Sequence, residues 1–335
     1  MAAAAPVPDD PRFALLHAPA PDDDFAQDVR TGLTADHKWL PPRWFYDELG
    51  SSLFDTICFL PEYYVMRAEA EALTTHRDAI AATLAAPALR LVELGSGAAR
   101  KTRILLDALT GGQSPIEYVP VDVDASMLER TGRDLLREYP ALRVTAVRSD
   151  FRKPSVPLGL LPRTQSRTVV LFLGSTIGNL SPEEATGMLR DLRSALAPGD
   201  ALFLGADLRK DVSVLERAYD DPLGVTAAFN LNLLGRINRE LGGAFDLGAF
   251  QHLAFYDQEH GRIEMHLVSR RPQRVRIEAL DVEVSFEAGE RIHTESSYKH
   301  DEHTLRALAE SSGFTIAETW TDSRHWFMDV LLVAN

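Results

Sequence analysis

Three acids, Glu93, Asp122 and Asp150, each stand at or near the end of an apolar run, where a strand hands over to a turn. The first run, Arg90-Leu-Val-Glu-Leu-Gly-Ser-Gly97, breaks on Gly95 and Gly97 and re-enters a helical pattern through Leu105, Leu106 and Leu109. That is a buried strand, a glycine turn and a helix, the opening unit of a nucleotide-binding α/β sheet. The two glycines let the backbone approach a ligand where a Cβ would collide with it. A dinucleotide fingerprint asks for a third small residue three places beyond Gly97, and Arg100 stands there; a P-loop would end in Gly-Lys-Ser/Thr, which is missing. Acid, apolar residue, Gly-x-Gly suits S-adenosylmethionine better than either. Asp122 follows at the spacing where a strand-end carboxylate reaches a ribose diol. It could equally cap the next helix, but Asp124, just before Ala125-Ser-Met-Leu-Glu129, is the better cap and leaves Asp122 for the ribose. Asp150-Phe151 closes a third run and suits adenine, with a carboxylate for the exocyclic amine, a backbone N–H for a ring nitrogen and a ring to wall the base.

These residues need a scaffold, and the apolar periodicity predicts one. The runs Thr168–Thr176 and Asp200–Asp207 continue the alternation of buried strands with helical stretches, which implies a parallel sheet covered on both faces, with ligands at the carboxyl ends of its strands. Between Arg209 and Lys299 the pattern changes. Helical stretches at 212–219 and 227–241 precede strand-like runs at 253–256, 262–269 and 273–277, which predicts an inserted α+β lobe over the mouth of the sheet. A helix at 302–311 and strands at 315–320 and 326–333 then return to the sheet, where two strands joined by a short loop make an antiparallel edge.

The chain has 335 residues, 45% of them hydrophobic, enough for one large domain and a smaller one. A net charge of −14 and the lack of a basic run disfavour a nucleic-acid partner. Cys58 is the sole cysteine, which suits packing in a reducing cytoplasm rather than a disulfide. No apolar run approaches a membrane span. The Ala-, Pro- and Asp-rich start, residues 1–24, reads as a disordered tail without a signal peptide's layout. No metal is expected, and a monomer is preferred.

The chain resembles the bacterial histidine N-alpha-methyltransferases of ergothioneine biosynthesis from about Val29 to its C-terminus. The resemblance is carried by Leu40-Pro-Pro-Arg-Trp-Phe-Tyr-Asp47, Leu60-Pro-Glu-Tyr-Tyr64, Glu93-Leu-Gly-Ser-Gly97 with Lys101-Thr-Arg103, Phe172-Leu-Gly-Ser-Thr-Ile-Gly-Asn-Leu180, Ala218-Tyr-Asp-Asp221, Gly224–Asn230, Arg262-Ile-Glu-Met265 and Thr294-Glu-Ser-Ser297. One departure is Val65-Met66, where the family pattern has Pro-Thr. The resemblance implies a Rossmann-like class I S-adenosylmethionine-dependent methyltransferase domain (71–208 and 300–335) with an additional α+β substrate-binding lobe (25–70 and 209–299). It implies that Tyr63, Asn179 and Tyr219 hold the carboxylate and amine of L-histidine, that Glu295 and Ser297 read its imidazole, and that Tyr46, Phe54 and Met265 line the pocket. Tyr46 and Asn179 are the implied catalytic pair, and Gly95, Lys101, Asp122, Asp150 and Phe151 the implied cofactor contacts.

Each residue also has a plainer reading. A buried tyrosine is more often core than ligand, Asn179 after Gly178 suits a turn, and Glu295 alone suits a solvated strand. Lys101 could decorate a helix start, although a cation is poorly placed there; a role with the cofactor's carboxylate explains it better. His300 and His303 could bind a metal, but they sit where a helix begins. It is the joint match to the family motifs that favours function. Glu295 and Ser297, two apart on a strand, face the same way and suit the two nitrogens of one ring. The amino acid's carboxylate is expected to be held by phenols and an amide, with no lysine or arginine beside it. The implied activity is transfer of three methyl groups to the histidine α-amine; the rivals are another aromatic amino acid or a partly methylated histidine as substrate, or a silent binding protein on the same fold.

Overall fold

The computed structural model describes residues 10–18, 25–111, 115–162 and 164–334. In chain order the elements are β1 (Phe13–His17), α1 (Phe25–Leu33), β2 (Lys38–Trp39), α2 (Glu48–Ile57), α3 (Val65–Leu84), β3 (Leu89–Leu94), α4 (Arg100–Leu109), β4 (Ile116–Asp122), α5 (Ala125–Glu138) and β5 (Leu142–Arg148). There follow α6 (Ser155–Gly159), β6 (Arg167–Phe172), α7 (Pro182–Ala195), β7 (Ala201–Asp207), α8 (Val212–Tyr219) and α9 (Val225–Leu241). The chain ends through β8 (Phe250–Asp257), β9 (Arg262–Ser269), β10 (Gln273–Ile277), β11 (Val282–Phe286), β12 (Arg291–Tyr298), α10 (Glu302–Ser311), β13 (Phe314–Thr321) and β14 (Phe327–Ala334).

The large sheet has eight strands in the order β1-β5-β4-β3-β6-β7-β14-β13. Its central strand β3 is buried throughout, and alternate residues feed opposite cores. Val92 and Leu94 pack with α7 and α10 residues such as Leu189 and Leu305, while Leu91 packs with Leu73 and Ile80 of α3 and Leu105 of α4. Strands β1 to β7 run parallel where they pair in this sheet, and β14 lies antiparallel to both β7 and β13, the edge anticipated from sequence.

The start of the chain departs from expectation. Phe13–His17, within the stretch expected to be a loose tail, pairs in parallel with β5 from Phe13↔Val144 to His17↔Arg148. The reason is tertiary: Phe13 is apolar enough to dock on α5, beneath the Arg133 guanidinium at 5.2 Å, and the strand covers an otherwise open sheet edge. The rest of that tail, residues 1–9 and 19–24, lies outside the described residues.

A second sheet of four strands, β2-β12-β9-β8, and the β10–β11 hairpin enclose a separate core. That core joins Val29, Phe45 and Tyr63 to Phe229, Leu233, Met265 and Ile292. Helix α3 belongs to both regions, its Val65 and Ala68 packing in this core and its Leu73 and Ile80 under the large sheet. A position 70/71 boundary therefore falls inside one continuous helix. The second sheet meets the first at the 3-10 turn Thr176–Asn179, which follows β6. There Gly178 is obligatory in shape, because a Cβ would lie 2.7 Å from the Tyr298 carbonyl oxygen of β12.

Candidate active site

At the carboxyl end of β3 the chain turns through Gly95 at φ 71° and Gly97 at φ 47°, conformations that favour glycine. Nothing lies within 4 Å of where a Gly97 Cβ would be, and a Gly95 Cβ would stand 3.4 Å from the Phe151 ring. Asp122, at the end of β4, accepts from the backbone N–H of Gly97 at 3.0 Å and of Asp124 at 3.2 Å. Each carboxylate oxygen keeps lone-pair capacity for a further donor. Burial raises the Asp122 pKa against these bonds, so a diol offering two donors would relieve a desolvated anion. Asp124 is occupied as the α5 cap, accepting from Ser126 and Met127 N–H groups. Below the turn, burial pushes Glu93 up to about 7 while Thr102 and Tyr118 hydroxyls donate to it.

Two other expected cofactor residues are held by side chains of opposite charge. Asp150 accepts from the Arg152 backbone N–H at 2.9 Å and from the Arg152 side chain, which holds its carboxyl below the usual range although burial opposes this. Lys101 is ion-paired with Glu69, a fully buried acid that also accepts from the Gly174 N–H at 2.8 Å. Glu69 thus answers the cation that sits awkwardly in the first turn of α4. Asp329 of β14 adds a third group here: both its oxygens are buried without a hydrogen bond, and burial, with Glu69 nearby, keeps it protonated well above the carboxylate range. A fold of this kind with a glycine turn, a strand-end acid and an aromatic wall at one crevice fits an adenosyl group.

The amino-acid end is built from six separate parts of the chain. Tyr46 follows the 3-10 turn Pro42–Phe45, Phe54 lies on α2, Tyr63 precedes α3, Tyr219 ends α8, and Met265 and Glu295 are ladder partners on β9 and β12. The rings form a chain, Tyr46 to Phe54 at 5.5 Å, Phe54 to Tyr63 at 6.2 Å and Tyr63 to Tyr219 at 6.1 Å, each edge-on. Phe229, which sequence reading left unassigned inside a quoted motif, touches Tyr46 and Phe54 and stacks on Phe45 at 4.4 Å. A bulge between His293 and Glu295 sets two β12 residues against Met265. Glu295 is 8% exposed, and burial raises its carboxyl to about 7 despite nearby Lys299. The Tyr46 phenol is likewise raised by its apolar wall and by Glu295, although the residue as a whole is 46% exposed.

Among the described residues, the side chains of Tyr46, Tyr63, Asn179 and Glu295 make no hydrogen bond to protein. Asn179 is at the end of the 176–179 turn, whose Ser175 holds a left-handed φ of 58° while its hydroxyl accepts from the Asp207 N–H at 2.9 Å.

Tyr219 and Ser297 are joined, hydroxyl to hydroxyl, at 2.8 Å. Here the expectation that no lysine stands near is corrected. Lys299, 2% exposed, donates to Tyr219 OH at 2.9 Å, to Ser297 Oγ at 2.8 Å and to Asp207 at 2.9 Å. Asp207 is also paired with Lys210 and accepts from Tyr64 OH at 2.7 Å. A signal for Lys299 was available, since it continues the i, i+2 series of Glu295 and Ser297. Asp207 and Lys210 come from another strand end and carried none. Asp301, between the two histidines considered for a metal, caps α10 with Thr304.

The sheet order with its single reversed strand, the glycine turn and the strand-end acid define a class I S-adenosylmethionine-dependent methyltransferase. The family of histidine-specific, S-adenosylmethionine-dependent methyltransferases matches residues 25–334, and the chain belongs to that family. It is 50% identical to a histidine N-alpha-methyltransferase of Mycolicibacterium smegmatis, over 88% of this chain and 90% of the relative. It is 48% identical to that of Mycobacterium tuberculosis over the same shares. An L-tryptophan methyltransferase of Psilocybe serbica is 27% identical, over 88% of each chain. No helix among the described residues is long and apolar enough to cross a membrane.

Proposed function

We propose that the chain transfers three methyl groups to the α-amine of L-histidine and releases N-alpha-trimethylhistidine, with residues 25–70 and 209–299 as the substrate-binding lobe. The observation that carries this reading is the set of unspent polar groups, Tyr46, Tyr63, Asn179 and Glu295, in a wall otherwise made of aromatic rings and Met265. These groups spend no bond on the protein and stay open to a ligand's donors and acceptors.

S-Adenosylmethionine supplies the methyl group as an activated sulfonium. Asp122 and the Gly95–Gly97 turn hold its adenosyl part, Phe151 walls the base, and Lys101 keeps two ammonium protons beyond its Glu69 bond for a carboxylate. Asn179 and Tyr63 orient the amino acid. Tyr46 keeps its phenol proton, because its surroundings raise it, and so acts by hydrogen bonding rather than as a base. The amine loses a proton to solvent before each of the three transfers, and the pocket contributes alignment more than basicity. The third methyl leaves a fixed positive charge, which the face of an aromatic ring in the pocket accommodates. Glu295 accepts the imidazole N–H and Ser297 serves the other nitrogen.

Another aromatic amino acid as substrate is the second reading, favoured by the tryptophan-methylating relative. Glu295 and Ser297 together argue against it, because a phenyl ring offers the pair nothing and an indole has one N–H where an imidazole has two nitrogens. Purified protein with L-histidine and three equivalents of S-adenosylmethionine should give the trimethylated α-amine by mass spectrometry. Methyl found only on a ring nitrogen, or a preference for tryptophan, overturns the reading.

A further inference from the structure

Lys299 has three N–H donors and three acceptors around it, Asp207, Tyr219 and Ser297. Every proton is committed. Asp207 in turn is shared with Lys210, whose ammonium also donates to Tyr64 OH at 2.8 Å. Two ammonium groups therefore lean on one carboxylate in a space nearly closed to water, where the three side chains are 1–4% exposed. The two ammonium groups share the one carboxylate bonded to them, with Asp322 a more distant counter-charge to Lys210, so no anion is bonded to Lys299 on its substrate side. Burial brings Lys210 down to about 8, which eases the sharing. Burial also opposes Lys299, but Asp207 and Tyr219 outweigh it and keep that ammonium charged. Glu295 is the neighbouring acid, yet it receives no proton from Lys299 and burial holds it half-neutral near pH 7.

The two hydroxyls fed by Lys299 belong to the substrate wall. Tyr219 and Ser297 possess two protons between them: with Ser297 donating to Tyr219 and its oxygen left to accept an imidazole N–H, the Tyr219 proton remains to be donated outward. An ammonium donating into a hydroxyl polarises it and strengthens the bond its own proton makes.

We propose that Lys299, anchored by Asp207, is the positioning residue that makes the Tyr219–Ser297 pair select a free carboxylate, so that the site takes an α-amino acid in preference to its amide. This rests on Tyr219 being a substrate contact in the proposed function. The substrate carboxylate is then the missing anion of the cluster. It meets the charge through a hydroxyl rather than in a direct ion pair, because no Lys299 proton is left for it.

The test compares L-histidine with L-histidinamide, by calorimetry in the presence of S-adenosylhomocysteine and by kcat/KM. Wild-type protein should bind histidine at least tenfold more tightly than the amide. Lys299→Gln, which keeps a donor without the charge, and Lys299→Met should lower that ratio at least tenfold, through KM for histidine, and leave the amide within threefold of its wild-type value. In combination with Tyr219→Phe, the effect on the ratio should be less than the product of the single effects, since the lysine acts through the phenol. Equal weakening of both ligands assigns Lys299 to packing alone and overturns the proposal, as does a multiplicative double variant. Should neither Lys299 variant fold, equal binding of histidine and its amide by wild-type protein overturns it as well. Failure of the underlying reading looks different, because wild-type protein would then not methylate histidine at all.

Discussion

Asp122 and Asp124 stand two residues apart at one strand end and carry different loads. Asp124 spends its carboxylate on the first N–H groups of α5, and Asp122 is pinned by backbone donors with acceptor capacity left over. Asp122→Ala should weaken S-adenosylmethionine binding by about 1.5–3 kcal/mol, the scale of hydrogen bonds to a charged group. Asp124→Ala should instead cost about 0.5–2 kcal/mol of stability through its lost cap. Calorimetric titration and denaturant unfolding of both variants check the assignment, and exchanged effects would refute it. Glu295 carries a second residue-scale prediction. Glu295→Ala leaves the imidazole N–H unpaired in a buried site, a loss of about 1–3 kcal/mol. The loss should fall on KM if the ring is held equally in ground and transition states. The kcat/KM ratio of histidine over tryptophan should drop accordingly; an unmoved ratio would make Glu295 a bystander.

The turn after β6 is where one element limits another. A Cβ on Gly178 would lie 2.7 Å from the Tyr298 carbonyl oxygen and 3.4 Å from its nitrogen, so Gly178→Ala must push the 176–179 turn off β12. Asn179 moves with it, and misplacement by about 1 Å can cost on the order of 100-fold in rate. We expect kcat/KM for histidine to fall at least tenfold in Gly178→Ala, by steady-state kinetics. Gly187→Ala on the exposed face of α7, where a Cβ meets nothing within 4 Å, should be neutral or stabilising. Elements of this kind were legible in sequence where their cause is local. The strand, glycine turn and helix from Arg90 to Leu109 follow from a run of apolar residues, two glycines and a 3.6-residue period. Glu295 and Ser297 follow from alternation along one strand. What was not legible depends on partners far away in the chain. Strand β1 is five residues in an Ala- and Pro-rich stretch, and its strand character comes from β5. Glu69 under Lys101 and Asp207 under Lys299 are pairings between distant residues that no periodicity links.

At the scale of the whole molecule, the substrate site holds polar groups in a largely desolvated wall, and the folded state bears that desolvation when no ligand is present. Glu295 makes that cost measurable. Its pKa is 4.5 when freely solvated and about 7 in the folded protein, where burial disfavours the anion. The folded state therefore holds this proton more tightly than the unfolded chain, and Glu295's contribution to stability falls as pH rises from 4.5 to 7, then levels off. Glu295→Gln keeps the shape and removes the titration. The ligand-free variant should exceed wild type in stability by about 3 kcal/mol at pH 8 and by roughly 1 kcal/mol at pH 5.5. Denaturant unfolding at the two pH values measures the difference. Other titrating groups, Lys210 and Asp207 among them, are common to both proteins and drop out of the comparison. A gap of the same size at both pH values would show that Glu295 ionises as freely as a surface acid. Saturating histidine should narrow the gap at pH 8, because the imidazole N–H gives the carboxylate a partner that the ligand-free wild type lacks and mass action stabilises only the form that binds.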